Sequence, residues 1–318
     1  MLWKDEWVVN LILLVVIRGI NPWVVTGLID AEGSFNVAVV KNKNSKLGWV
    51  TKLRLEMSML KKDRSTLEEL INYFGGGGIR NLDHNNLRFY IESFKDLAAV
   101  INHFDKYPLF TKKQEDYLLF KQVFDLFKNK NHLTMEGLRQ VISIKALLRN
   151  QGLSDSLLEA FPDITSAIIP IADTTCFNED VSILYPWLAG FTSGDGNFYV
   201  SIAEKEKGVQ VQLVFSITQH IRDQALMNNL ISCLGCGNIK HHEKHSWLRL
   251  IVTKFSDIDE KIIPIFREYK ILGDKFRDFQ DWCKVAELMK NKAHLTPSGL
   301  EEIRKLKGGM NTGRSLLL

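Results

Sequence analysis

Two acidic residues, Glu32 and Asp195, occupy equivalent positions in two similar stretches of the sequence, 163 residues apart. Each acid follows an apolar segment of helical length, and a glycine and an alternating, strand-like segment follow the acid. An acid at the C-terminal end of a helix meets the negative pole of the helix dipole, which is electrostatically unfavourable. Because the arrangement occurs twice, it indicates a shared chemical role for the two carboxylates.

The two helical segments carry small residues at a regular spacing. Gly27 and Ala31 are four residues apart in the first segment, as are Gly190 and Gly194 in the second. Each pair therefore lies on one helix face. Small residues at this spacing let two helix backbones approach closely, as is best documented in membrane proteins. If the helices pack on these faces, both acids project from the same end of the helix pair.

Two carboxylates at the negative ends of two helices repel each other and the dipoles, so a compensating cation is expected. Hard divalent cations bind carboxylates, backbone carbonyls and water, which predicts a site formed by Glu32, Asp195 and the carbonyls of Ala31 and Gly194. Mg²⁺ typically combines one or two protein carboxylates with phosphate oxygens, the chemistry of metal-assisted phosphodiester hydrolysis. The alternative is a pair of solvated helix-end acids, and the matched positions favour the metal site.

The sequence contains two copies of one unit. VTGLIDAEGSFNV (25–37) parallels LAGFTSGDGNFYV (188–200), and NKNHLTMEGL (129–138) parallels NKAHLTPSGL (291–300). Such similar offsets, held over more than a hundred residues, are typical of a duplication. We therefore expect an N-terminal extension, a first repeat, a linker and a second repeat at 1–20, 21–150, 151–181 and 182–318.

Each repeat is predicted to run helix, two strands, helix, two strands, helices. In the first repeat Asn21 is a plausible N-cap, Pro22 suits the first helical turn, and a further helix is expected over Arg64–Phe74. Gly33 is expected to end the first helix, and Gly196 is expected to allow the turn into the following strand. The predicted fold class is α+β, with two pseudo-symmetric αββαββα repeats, antiparallel sheets and the two acid-bearing helices paired at the centre.

Composition sets only broad limits. The 318 residues carry a formal net charge of +4 at pH 7, which favours an acidic partner only weakly. Four cysteines are too few for a disulfide scaffold, so a reducing compartment is expected. The apolar run Trp7–Ile17 is too short to span a bilayer and is interpreted as an extra buried segment or a remnant of an upstream reading frame.

The two acid-bearing segments, TGLIDAEGSF and LAGFTSGDGNF, resemble the paired signature motifs of the LAGLIDADG homing endonucleases. The chain is similar to the single-chain, two-repeat branch found in fungal mitochondrial introns, over nearly everything after residue 20. The resemblance implies a monomeric, mitochondrial, Mg²⁺-dependent endonuclease that cleaves both strands of a long, asymmetric DNA site across the minor groove and promotes intron mobility. It further implies that Mn²⁺ substitutes for Mg²⁺ and that Ca²⁺ binds without supporting cleavage.

The resemblance also implies roles for residues beyond the acids. Gln219, at the end of the second strand of the second repeat, matches a polar active-site residue that orders water. The corresponding position in the first repeat is Met59, so the two half-sites are expected to be chemically unequal. Lys113 and Lys275, 162 residues apart, match basic residues near the scissile phosphates.

The outward faces of the predicted strands are polar and suit the reading of DNA. Arg, Lys, Asn and Gln pair with base edges in the major groove, which a pair of strands can enter. In the first repeat the expected DNA contacts are Ser34, Asn36, Ala38, Val40, Asn42, Lys52, Arg54, Glu56, Arg80, Arg88 and Tyr90. In the second repeat they are Asn197, Tyr199, Ser201, Ala203, Lys205, Gln210, Gln212, Lys240, Trp247 and Arg249.

Two other functions remain open for the same fold. The first is an intron RNA maturase, and the second is a catalytically silent DNA-binding protein. The retained pair of acids favours cleavage over a silent protein but does not exclude splicing activity. A zinc site built from Cys233, Cys236, His241, His242 and His245 is the weaker interpretation of those residues, since the first repeat has no counterpart to Cys236.

Overall fold

The computed structural model describes residues 19–149, 152–164, 180–206, 208–242 and 244–311. The apolar run Trp7–Ile17 lies outside the described residues, so the interpretation of that segment stays a prediction. Within the described ranges, no helix is both long enough and apolar enough to cross a membrane.

The elements follow the predicted order in both repeats. The first repeat comprises α1 (Pro22–Glu32), β1 (Gly33–Lys41), β2 (Trp49–Leu60), α2 (Arg64–Phe74), β3 (Gly78–Asn81), β4 (Asn86–Ile91), α3 (Phe94–Lys106), α4 (Lys113–Lys128) and α5 (Met135–Lys145). A short helix, α6 (Asp155–Ala160), follows. The second repeat comprises α7 (Val181–Asp195), β5 (Gly196–Lys205), β6 (Gly208–His220), α8 (Gln224–Leu234), β7 (Asn238–His241), β8 (Trp247–Val252), α9 (Phe255–Asp257), a π-helical turn (Ile258–Ile262), α10 (Ile263–Glu268), α11 (Lys275–Lys290) and α12 (Pro297–Gly308).

Each repeat forms one four-stranded antiparallel sheet. The strand orders are β1-β2-β4-β3 and β5-β6-β8-β7, so the second repeat reproduces the topology of the first. In both repeats the glycine after the acid begins the edge strand, and it pairs with Met57 in the first sheet and with Ile217 in the second. The α+β class with two pseudo-symmetric repeats is therefore confirmed.

Local sequence signals explain where the first helices begin and end. The Oδ1 of Asn21 accepts a hydrogen bond from the backbone N of Trp23 at 2.9 Å, and Pro22 opens α1. Helix α2 spans Arg64–Phe74 as predicted and ends at Gly75, whose φ of 67° lies in the left-handed region that favours glycine.

Gly33 follows the last residue of α1, as predicted, but neither glycine after an acid is required by backbone torsion. Gly33 and Gly196 have φ values of −74° and −81°, which any residue adopts, so no turn requires glycine there. The constraint is space. A Cβ on Gly196 would lie 2.3 Å from Cγ2 of Thr192, and a Cβ on Gly33 would lie 2.4 Å from Cγ2 of Ile29.

The centre of the molecule is the contact between α1 and α7, which we call the helix seam. A Cβ on Gly27 would lie 2.0 Å from the carbonyl oxygen of Trp187, and a Cβ on Gly190 would lie 2.0 Å from that of Val24. The two backbones therefore touch through reciprocal glycines, as the small-residue spacing predicts.

A buried acid also joins the two repeats at the helix seam. Asp30, on α1, accepts hydrogen bonds from Nε1 of Trp187 at 2.8 Å and from the backbone N of Phe110 at 2.8 Å. The hydroxyl of Thr111 donates to the same carboxylate at 2.6 Å. Burial raises the pKa of Asp30, and these donors oppose that rise.

Candidate active site

The helix seam brings the two signature acids to one end of the helix pair. Glu32 ends α1 and Asp195 ends α7. A Cβ on Gly194 would lie 2.4 Å from Cβ of Ala31 and 2.8 Å from Cγ of Glu32. The side chain of Glu32 thus lies against the residue that precedes Asp195.

Asp195 lies in an environment that opposes its negative charge. Burial, and then the neighbouring charge of Glu32, raise its pKa to about 7, although Lys113, Lys275 and a hydrogen bond from Gln219 act in the opposite direction. The Nε2 of Gln219 donates directly to Oδ2 of the carboxylate. A divalent cation would relieve the repulsion, so the donor set of two carboxylates suits the cation that the sequence predicts.

Lys113 lies at the C-terminal end of α1. Its Nζ donates to the carbonyl of Ile29 at 2.9 Å and to that of Ala31 at 3.2 Å. These carbonyls belong to the last turn, where helical hydrogen bonding leaves acceptors unsatisfied and the dipole is negative. The ammonium therefore neutralises the helix end beside the acids.

Lys275 repeats this arrangement on α7. Its Nζ donates to the carbonyl of Thr192 at 3.1 Å and to that of Gly194. Burial lowers the pKa of Lys275 to about 8, although Glu32 and Asp195 oppose the shift. The pKa of Lys113 is lowered for the same reason.

The carbonyls of Ala31 and Gly194, expected as metal ligands, thus accept hydrogen bonds from the site lysines. A carbonyl oxygen has two lone pairs, so this bond is compatible with a second interaction at the same atom. Met59 is the penultimate residue of the second strand of the first repeat, as Gln219 is in the second repeat. Its thioether offers only a weak acceptor, so the two halves of the site differ in chemistry.

The residues expected to contact DNA lie on the open face of each sheet, except Asn42, which follows the end of β1, and all of them are exposed or half-exposed. The register places Asn36 beside Arg54 and Glu56 beside Tyr90 in the first sheet, and Ser201 beside Gln212 in the second. These cross-strand partners share a face because side chains alternate along each strand.

The open face of the first sheet carries an ionic network. Glu56 lies 3.6 Å from Arg54 and 3.5 Å from Arg88, and Glu92 lies 2.6 Å from Arg54. The guanidinium of Arg54 also lies 5.8 Å from the ring centre of Tyr90. Glu92 was not among the expected site residues, and it orients an arginine on this face.

The second sheet is less charged near the centre of its open face. Val214 and Ser216 alternate along β6 with the core residues Leu213, Phe215 and Ile217 and so share the face of Gln212, yet both are buried. Farther along the sheet Nε of Arg249 donates to the hydroxyl of Thr218 at 3.0 Å. The guanidinium of Arg249 lies 5.0 Å from the ring centre of Trp247, which holds this arginine at the surface.

The zinc interpretation finds no support in the described part of the chain. Among those residues, no group of three or more His, Cys, Asp or Glu side chains is arranged to hold a metal ion. Cys236 is buried, and the ring centre of His242 lies 4.4 Å from those of both His245 and Trp247. His242 thus packs against the imidazole of His245 and the indole of Trp247.

Comparison with known proteins agrees with this architecture. The model of the LAGLIDADG endonuclease family matches residues 25–124 and 188–286. "Probable intron-encoded endonuclease 3" of Neurospora crassa is 41% identical over 294 residues, which are 91% of this chain and 54% of that protein. The chain therefore spans about half the length of this relative.

Solved structures match over most of the chain. The I-SmaMI LAGLIDADG homing endonuclease bound to cleaved DNA superposes with a TM-score of 0.87 at 48% identity, covering 92% of this chain and 98% of that one. The same endonuclease bound to an uncleaved DNA target in the presence of calcium ions gives 0.86 at 48% identity, covering 92% and 99%. The chain belongs to the LAGLIDADG endonuclease family.

Proposed function

We propose that the chain is a site-specific double-strand DNA endonuclease that hydrolyses one phosphodiester in each strand, across the minor groove, at a long asymmetric site. The observation that carries the proposal is the meeting of Glu32 and Asp195 at one end of the helix seam, each beside a lysine from its own repeat. A paired acidic centre between two basic sheets suits two scissile phosphates on opposite strands.

The cation that suits this donor set is Mg²⁺, with Mn²⁺ as a substitute and Ca²⁺ as a ligand that does not support cleavage. Glu32 and Asp195 are the carboxylates that would hold it, with the carbonyls of Ala31 and Gly194 as further oxygen donors. When bound, such a cation activates water and stabilises the charge that develops on the phosphate. Calcium in a related DNA complex supports a divalent metal of this kind.

The remaining site residues act on the water and the phosphates. Gln219 orients Asp195 through its amide NH₂, and its amide oxygen is an acceptor suited to orient a water. Lys113 and Lys275 are held by helix carbonyls close to both acids, where their positive charge favours the approach of a phosphate.

DNA recognition is assigned to the open faces of the two sheets. Their exposed and half-exposed polar side chains, among them Arg54, Arg88 and Arg249, suit the base edges of the major groove. The two sheets together form a saddle over the DNA, with the helix seam at its centre. Because the two faces differ in sequence, the target is expected to be asymmetric.

The biological setting follows from the relatives. We propose that the protein acts as a monomer in fungal mitochondria, promotes the mobility of its own intron and divides at 1–20, 21–150, 151–181 and 182–318. The intron-encoded relative and the single-chain structural match support this setting. Intron RNA as a partner stays a prediction from the sequence.

A plasmid assay tests the proposal. Purified protein with Mg²⁺ is expected to linearise a plasmid that carries the uninterrupted sequence of the host gene, and to leave a plasmid with the intron-containing gene intact. Absence of cleavage with both Mg²⁺ and Mn²⁺ would contradict the proposal. Binding to the same DNA is also measured in Ca²⁺. A protein that binds but does not cut is a silent DNA-binding protein, whereas a preparation that does neither is inactive.

A further inference from the structure

The helices that carry the site lysines begin at the boundary between the two repeats. Helix α4 follows its N-cap residue Lys112, and α11 follows its N-cap residue Asp274. Neither N-cap residue caps its helix with its own side chain. The first N–H groups of a helix have no intrahelical acceptor, so each start needs acceptors from elsewhere.

In each case a carboxylate from the opposite repeat supplies an acceptor. Asp63, in the first repeat, accepts from the backbone N of Asp274 at 2.7 Å. Asp223, in the second repeat, accepts from the backbone N of Lys112 at 2.7 Å. Both acids are buried and occupy equivalent places, at the end of the short 3₁₀ turn after the second strand. The two bonds cross the boundary in opposite directions, and we call them the crossed caps.

The contact at Asp63 is tightly built. Gly273 has a φ of +68°, and a Cβ on it would lie 2.4 Å from Oδ1 of Asp63. The Nζ of Lys62 lies 2.7 Å from Oδ2 of Asp274, which adds an ion pair across the same boundary. A negative charge at a helix N-terminus is also favoured by the dipole.

The crossed caps fix the residue directly before each site lysine. Lys113 follows Lys112, and Lys275 follows Asp274. Each lysine then reaches back to the central helix of its own repeat, where it meets the acids. The position of each lysine therefore depends on both repeats: the opposite repeat binds the backbone N before it, and its own repeat holds the ammonium. At Lys113 the own repeat contributes a further contact, since the backbone N of Lys113 donates to Oγ1 of Thr111 at 3.1 Å.

We propose that Asp63 and Asp223 are positioning residues that set the two site lysines crosswise, Asp63 acting on Lys275 and Asp223 acting on Lys113. The inference rests on the proposed nuclease function. Loss of one crossed cap is expected to displace one lysine and to slow cleavage of the DNA strand that this lysine serves. Each acid is therefore expected to affect the same DNA strand as the lysine of the opposite repeat.

The test measures the two strands separately on a duplex of the uninterrupted host-gene sequence, labelled on either strand, with the full-length protein and Mg²⁺. Asp63→Ala and Lys275→Ala are expected to slow the same strand preferentially, whereas Asp223→Ala and Lys113→Ala slow the other. A misplacement of about 1 Å is expected to cost up to about a hundredfold in the rate of the affected strand. DNA affinity in Ca²⁺ is expected to stay at the wild-type value.

Rescue and control variants separate positioning from general damage. Asp63→Asn keeps an oxygen acceptor for the backbone N of Asp274, so it is expected to restore most of the strand rate that Asp63→Ala loses. Glu68→Ala removes an exposed acid of the following helix, where it pairs with Arg64, and is expected to leave both rates unchanged.

Three outcomes would overturn the inference: equal slowing of both strands, a pairing of Asp63 with Lys113, or failure of Asp63→Asn to restore the rate. A wild-type protein that cuts neither strand contradicts the proposed function itself. That result is distinguishable because it does not depend on any substitution.

Discussion

At the scale of single residues, the site combines two acids with unequal surroundings. Glu32 is exposed, whereas Asp195 is partly buried and accepts a hydrogen bond from Gln219. The raised pKa of Asp195, about 7, shows that the protein alone does not fully compensate its charge. A bound cation would supply the compensation, so both acids are expected to matter for cleavage more than for folding.

The first prediction concerns these carboxylates. Glu32→Gln and Asp195→Asn remove a charged oxygen ligand with little change of shape, so each is expected to abolish double-strand cutting in Mg²⁺. Affinity for DNA in Ca²⁺, measured by fluorescence anisotropy, is expected to change little. Glu69→Gln, on the exposed surface of α2, is the matched control and is expected to cut normally. Full activity of Glu32→Gln would remove that residue from the metal site.

The second prediction concerns a buried histidine away from the site. The hydroxyl of Thr26 donates to the carbonyl of Tyr107, so it accepts from Nε2–H of His103, while Nδ1 accepts from Tyr73. These bonds give both nitrogens of the neutral imidazole a hydrogen-bond partner. Burial lowers the pKa of His103 to about 3 from an ordinary 6.5. Because the unfolded chain then binds the proton more readily, stability is retained above pH 6.5 and lost as the pH falls towards 3.

Between pH 7 and pH 5 this histidine is expected to lower the free energy of unfolding by about 2 kcal/mol. Urea unfolding at the two pH values measures the loss. His103→Gln is expected to show a smaller pH-dependent loss than the wild type, whereas His84→Gln, at an exposed position, keeps the full loss. Parallel losses in wild type and His103→Gln would show that the ring is not held neutral.

Sequence reasoning identified some of these residues and missed others for a physical reason. Glu32 and Asp195 could be predicted because both repeats carry the same local pattern. Asp63 and Asp223 could not, because their partners lie 211 and 111 residues away and only the folded chain brings them together. Their one sequence signal is the matched position of an acid just after the second strand of each repeat.

At the scale of elements, the helix seam decides how the acids meet. Its reciprocal glycines leave no room for any side chain atom, since the neighbours on both sides are backbone atoms that cannot rotate away. The order and bounds of helices and strands were largely predictable from caps and alternation. The reason for Gly33 and Gly196 was not, because it lies in contacts within the preceding helical turn rather than in backbone torsion.

The third prediction tests the helix seam. Gly27→Ala and Gly190→Ala are each expected to lower the free energy of unfolding by about 3 kcal/mol, because the added Cβ forces two helix backbones apart. Urea unfolding measures the effect. Gly308→Ala, in α12, is the control: among the described residues, no atom outside the adjoining helix backbone lies within 4 Å of an added Cβ, so no loss is expected. A neutral Gly27→Ala would mean that the backbones are not in contact.

At the scale of the whole molecule, one chain presents two related but different sheets. The duplication predicted this layout, since similar offsets place equivalent elements in both halves. The balance of charge on the faces was harder to predict. The Glu56 network of the first sheet and the burial of Val214 and Ser216 in the second depend on cross-strand neighbours.

The fourth prediction follows from the difference between the sheets. Arg88→Ala is expected to relax base preference in one half of the target, and Arg249→Ala in the other half. Discrimination between bases is expected to fall by about 1–3 kcal/mol at each base pair that the arginine reads. Cleavage of target libraries randomised in one half at a time measures it. Arg64→Ala, exposed on α2 and paired with Glu68, is the control. If either substitution relaxed base preference in both halves of the target, the two sheets would not read separate halves.

The buried bond between Asp30 and Trp187 governs how the halves of related proteins can be recombined. The positions equivalent to these two residues in the opposite repeats are Ser193 and Val24, so the bond exists in only one of the two possible places. A protein built from two first halves would bury two acids with no indole donor, and one built from two second halves would bury two indoles with no acid. A chimaera that exchanges one half must therefore keep an acid at position 30 of its first half and a tryptophan at position 187 of its second half. This requirement is independent of the DNA sequence that its sheets are chosen to read.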